Sequence, residues 1–120
     1  MKDIEALLRA EIGDYEGNTA EIELGGDIVT LRAKPLTGLD ITDIRRRHPD
    51  FTVNPSPEGM VDMIIRKARL EDGVTPAFTI KHKPLLQRLR VDKVAKVFAD
   101  LFGDQMEDQT EEMQEERRKN

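Results

Sequence analysis

Cysteine and tryptophan are both absent from this 120-residue chain, which has one tyrosine, four phenylalanines and a single serine, Ser56. Without thiols there is no disulfide framework, no thiol nucleophile and no thiolate metal site. Ser56 stands between two prolines with no histidine near it in sequence, so no serine-hydrolase arrangement can be read. No apolar run approaches the length of a membrane span. The opening "MKDIEALLRAEIG" carries acids where a secretory signal would be apolar. The expectation is a soluble, cytoplasmic protein with no membrane association.

Charged residues make up 36% of the chain and hydrophobic ones 38%, so the apolar supply is aliphatic and modest. Such a length supports one domain with a limited core and no large catalytic cleft. The formal charge of −5 is local: residues 104–120 hold seven acids against three bases, and the rest of the chain is close to neutral. A near-neutral body with an acidic end argues against general nucleic-acid binding, which needs a basic surface to displace counterions.

Sequence periodicity divides the chain as follows. "KDIEALLRAEI" spaces Ile4, Leu7, Leu8 and Ile12 for a short helix, with Asp3 as cap and Gly13 as stop. From about 20 to 34 the period becomes alternating. Ala20, Ile22 and Leu24, then Val29, Leu31 and Ala33 after Gly25-Gly26-Asp27, read as a β-hairpin whose apolar face must rest on something. Thr37 and Asp40 form a capping pair for a helix that carries Ile41 and Ile44 and stops before Pro49. "FTVNPSPEG" reads as an extended connector. Val61, Ile64, Ile65 and Ala68 form the stripe of a strong helix, and Phe78 plugs the core from the "EDGVTPAFT" loop. Leu85, Leu86 and Leu89 supply a short helix. Val94, Val97, Phe98 and Leu101 supply a second strong one, with Gly103 as its stop. Residues 1–103 are therefore expected to form one α+β domain, mainly helical with an N-terminal hairpin, and 104–120 a disordered acidic tail.

Catalytic chemistry finds no foothold. Gly25-Gly26 leads into a strand without a Lys-Ser or Lys-Thr pair, so it is no phosphate loop. His48 and His82 fall in no metal-ligand spacing, and a histidine site would need carboxylates assembled from elsewhere. Exposed acids lack the environments that drive carboxyl pKa values apart. Neither catalytic nor metal nor cofactor residues are assigned, and the chain reads as a non-enzyme. Arg45, Arg46 and Arg47 read as the dipole-matched last turn of a helix, or a basic rim, with phosphate binding as the alternative. Met60 and Met63, with Val97, Leu101 and Phe102, are the candidate partner-binding residues, as adaptable apolar contacts.

One ordered set of motifs extends this reading: "VTLRAKPLTGLDITDI", a proline-rich connector, an amphipathic helix, Asp-Gly before Pro-x-Phe, and "LLQRLRVDKVAKVFADLFG". Together, from Ile22 to Gly103, they resemble the tail assembly chaperones of long-tailed bacteriophages and prophages. The resemblance implies a small non-enzymatic protein of the host cytoplasm that binds the tape measure protein and keeps it soluble while tail tube protein polymerises around it. It also implies a family in which two lengths arise by translational frameshift. "MKDIEALLRAEIGDYEG" lies outside the resemblance. The rival classes are a nucleic-acid or regulatory adaptor, in which residues 45–47 and 81–83 form one basic face, and an oligomeric structural component that extends its hairpin between copies. A homo-oligomer is left open.

Overall fold

A computed structural model describes the backbone of residues 3–119 and the side chains of residues 3–106. The order is α1 (Ile4–Gly13), β1 (Asn18–Leu24), β2 (Asp27–Ala33), α2 (Gly38–Arg47), α3 (Pro57–Lys67), a 3-10 turn (Ile80–His82), α4 (Lys83–Leu86) and α5 (Val91–Lys119). It is an α+β fold, mainly helical with one antiparallel hairpin.

Gly25 and Gly26 close the hairpin with φ of 60° and 88°. Positive φ at both central residues matches the right-handed twist of the flanking strands, and glycine reaches it without a Cβ penalty. Ala20 then pairs with Leu31, and Ile22 with Val29. That register places Ala20, Ile22, Leu31 and Ala33 on one buried face, as the alternation requires, and the face rests on α5. Asn18 Nδ2 ties the start of β1 to α5, donating to the Leu101 carbonyl at 3.0 Å and to Asp104 Oδ1 at 3.2 Å. Arg69, beyond α3, exchanges both backbone hydrogen bonds with Arg32, which covers one point on the outer edge of β2.

The capping box on α2 forms as the sequence indicates. Thr37 Oγ1 accepts from Asp40 N–H, Asp40 Oδ2 accepts from Thr37 N–H, and the helix ends before His48. On α3, Ser56 caps and Pro57 takes the first turn. Val61, Met63, Ile64 and Ala68 are buried between α2, α4 and α5.

Phe51, inside the stretch read as a plain connector, is fully buried and stands edge-on to Phe98 with ring centroids 5.7 Å apart. Gly59 makes room for it, since a Cβ there would lie 2.9 Å from Phe51 Cδ2. Leu85 belongs to α4 but is exposed, and Leu86 alone of that leucine group is buried.

The helical stop expected at Gly103 is overturned. A left-handed C-cap needs positive φ, and among the described residues only Gly25, Gly26 and Gly73 have it. α5 runs through Gly103 because its stripe continues: Phe98, Phe102 and Met106 recur every four residues, and all three are buried. That burial outweighs the cost of about 1 kcal/mol for an interior glycine. Gln105 Oε1 also accepts the Leu36 N–H. The body therefore extends to at least 106 instead of ending at 103. The flexible-tail expectation from 107 onward concerns side chains outside the described residues. Cutting the chain after 103 is expected to remove the Met106 and Gln105 contacts and lower the melting temperature by several degrees, whereas cutting after 107 should spare it. Thermal unfolding of the two truncations, followed by circular dichroism, checks the boundary.

Candidate functional site

The five residues singled out for partner binding lie at the centre of the protein or packed against it. Met63, Leu101 and Phe102 are fully buried, Val97 nearly so, and Met60 is half-buried against the core. The stripes of α3 and α5 pack on each other, and the small groove beside their seam, about 150 Å³ and lined by Pro57, Val61, Leu86, Leu89, Val91 and Val94 among others, includes none of the five. This corrects the assignment, and the reason is plain: an amphipathic stripe is equally satisfied by its own core or by a partner.

Arg45, Arg46 and Arg47 are exposed at the carbonyl end of α2, where the helix dipole favours cations. The surface groove beside them is lined by Asp43, Arg46, Arg47, Asp62, Arg66 and Ile80 among others, so it mixes signs. Lys83, expected on the same basic face, is instead held by Glu58 at 3.1 Å and Asp62 at 2.8 Å. His82 Nδ1 accepts the Thr79 N–H. A second open groove, about 610 Å³, borders the exit of α1 and is lined by Tyr15, Arg32, Lys34, Lys67 and Arg69 among others. There Lys67 is committed to Asp40, and the Arg69 guanidinium to the Arg66 and Ala68 carbonyls.

Helix α1 is the element with apolar surface to spare. Asp3 caps it by accepting the Glu5 N–H, and Arg9 pairs with Glu5 one turn away. None of its residues is buried. Ile4, Leu7, Leu8 and Ile12 are 68%, 47%, 59% and 58% exposed. An isolated ten-residue helix is marginal in water, so this one gains stability only when its stripe is covered. The helix and its stripe are readable from the sequence; its lack of a cover among the described residues is not.

Two ionic clusters lie beside the core. In the first, Asp40 is 7% exposed at its side chain; its Oδ1 accepts from Arg66 Nε at 2.7 Å and its Oδ2 meets Lys67 Nζ at 2.9 Å. Burial alone would raise its pKa, but the bonds from Arg66, Lys67 and Thr37 prevail and hold it at about 2. Asp43 shares Arg66 at 3.0 Å. In the second, His48 Nε2 lies 2.8 Å from Asp62 Oδ2, and Lys83 Nζ bridges Asp62 and Glu58. Burial opposes ionisation of Asp62, yet the bonds from Lys83 and His48 keep its pKa below the ordinary value, and the two carboxylates raise that of Lys83. The carboxylates that a histidine site would need from elsewhere are thus supplied by α3, fourteen residues or fewer from His48. The only trace of this in the sequence is the i, i+4 spacing of Glu58 and Asp62.

Among the described residues no helix is long and apolar enough to cross a membrane. Comparison of the chain with protein-family models, with curated proteins and with solved structures gives no match.

Proposed function

We propose that the protein is a tail assembly chaperone of the long-tailed-phage type, non-enzymatic, that holds the tape measure protein soluble in the host cytoplasm. The motif order from Ile22 to Gly103 supports this reading, and so does the combination of a small closed body with a projecting apolar helix. The observation that carries it is the exposure of Ile4, Leu7, Leu8 and Ile12 on α1. A chaperone for a long helical client needs an amphipathic surface with no partner in its own chain, and helix-on-helix contact is a standard way to cover both. In this reading α1, rather than the α3–α5 seam, is the client-binding element. The arginines of 45–47 contribute at most a rim.

The test is capture of the tape measure protein from cells co-expressing it with the tagged chain, with and without nuclease. The variant Leu7→Glu/Leu8→Glu alters only exposed positions, so its stability should change by less than about 0.5 kcal/mol per site while capture falls at least tenfold. Nuclease-insensitive capture that α1 substitution abolishes supports the chaperone. Nuclease-sensitive capture would move the protein to the adaptor class, and recovery of further copies of itself alone would move it to a structural component.

A further inference from the structure

The cluster of His48, Glu58, Asp62 and Lys83 does more than an ordinary surface ion pair requires. Glu58 and Asp62 stand one turn apart on α3 and face the same way, while His48 closes α2 and turns its Nε2 onto Asp62. One ligand atom from each of the three lies within 4.8 Å of the other two. His48 and Asp62 are 13% and 9% exposed at their side chains, so both are held by packing, whereas Glu58 at 55% lies on the rim.

The cluster already holds a cation. The Lys83 ammonium sits 2.8 Å from Asp62 and 3.1 Å from Glu58, where positive charge is favoured by both carboxylates. With a neutral imidazole, two carboxylates against one ammonium leave one negative charge over. A divalent ion in the place of Lys83 would balance the set, with imidazole nitrogen as a neutral third ligand. Lys83 reaches the cluster on a flexible four-carbon stem and can swing out to water.

We propose that His48, Glu58 and Asp62 form a site for a divalent transition-metal ion of the zinc class, and that Lys83 is the chain's own cation that the metal displaces. Imidazole with two carboxylates suits zinc or its neighbours better than calcium or magnesium, which take oxygen ligands. Ligand bonds of about 2.0–2.2 Å require the three donor atoms to close to roughly 3.5 Å apart. His48 Nε2 and Asp62 Oδ2, now 2.8 Å apart, must therefore separate slightly, and the half-exposed Glu58 carboxylate is free to adjust to them. Three protein ligands leave a fourth position for water. This inference is independent of the chaperone reading, because it rests on His48 at the end of α2 and on residues of α3, and on none of α1.

The experiment is titration of the full-length chain with Zn²⁺ by calorimetry and with Co²⁺ by visible absorption. One equivalent should bind, giving a d–d band of low-symmetry, four- or five-coordinate cobalt. His48→Ala should weaken binding by roughly tenfold or more, a loss at least as large as that from an outer-shell partner. Glu58→Gln, at an exposed position where folding is not at stake, should weaken it in the same direction. Lys83→Met should tighten binding severalfold, because the competing cation is gone; a purely structural lysine would produce no such gain. If neither the parent nor Lys83→Met binds one equivalent, or if Glu58→Gln binds as the parent does, the site does not exist.

Discussion

Replacing Phe51 with alanine is expected to lower the unfolding free energy by about 3–5 kcal/mol, the usual range for a fully buried phenylalanine. A domain of this size has about 5–15 kcal/mol in total, so the loss is a large share of what keeps it folded. Three observations place Phe51 at the upper end. It has no exposed surface, it makes the edge-on contact with Phe98 that begins the aromatic line to Phe102, and it lies against α3 at Gly59. The cavity left by alanine opens between Gly59 of α3 and Phe98 of α5, and close-packed helices relax only partly into such a void. Urea denaturation gives the result directly: the midpoint should fall with the slope unchanged. A loss below about 1 kcal/mol would mean that the 48–56 connector does not belong to the core.

The second large effect concerns Asp40. Asp40→Ala leaves Arg66 and Lys67 facing a site without its counter-charge and removes the side-chain half of the α2 cap. Breaking one partner of a buried pair costs about 3–5 kcal/mol. Arg66 is partly exposed and keeps Asp43, so about 2–3 kcal/mol is expected here. The dependence on pH gives this interaction a signature of its own. The folded-state pKa of Asp40 is about 2 against 3.8 for the free group, so the unfolded chain takes up the proton first. Its contribution, about 2 kcal/mol from that difference, is fully present above pH of about 4 and is lost as pH falls from there toward 2. The stability difference between parent and Asp40→Ala should therefore be constant near neutrality and shrink through that acid window. Other carboxylates titrate in both proteins and cancel. A difference that stays constant down to pH of about 2 would show that Asp40 acts through packing rather than charge.

Where the chain states its structure locally, the sequence was readable. The Gly25-Gly26 turn between alternating strands specifies both the hairpin and its register, and Thr37, Asp40 and Pro49 mark the ends of α2. Asp3 and Gly13 bound α1 in the same way. Phe51 escaped because one aromatic among prolines has no period, and Met106 because Gly103 signals a stop that neighbouring burial overrides. The ionic clusters join Asp40 to Arg66 across 26 residues and His48 to Asp62 across 14, and no local pattern encodes such pairings. The functional surface was the least legible part. Periodicity marks Met63, Leu101 and Phe102 and the residues of α1 alike as apolar stripes, and only the packed structure separates a stripe already covered from one still open.

The ties between β1 and α5 also set an order of events during synthesis. Asn18 reaches Leu101 across 83 residues, and Lys93 Nζ donates to the Glu23 carbonyl across 70. The hairpin is thus made early, but the helix that covers its apolar face comes last. At about 5–20 residues per second, roughly 4–15 s separate completion of the hairpin at Ala33 from translation of Met106. Throughout that interval the nascent chain presents α1 and the inner face of the hairpin together, and ribosome-associated chaperones have their longest opportunity to bind before α5 seals the body.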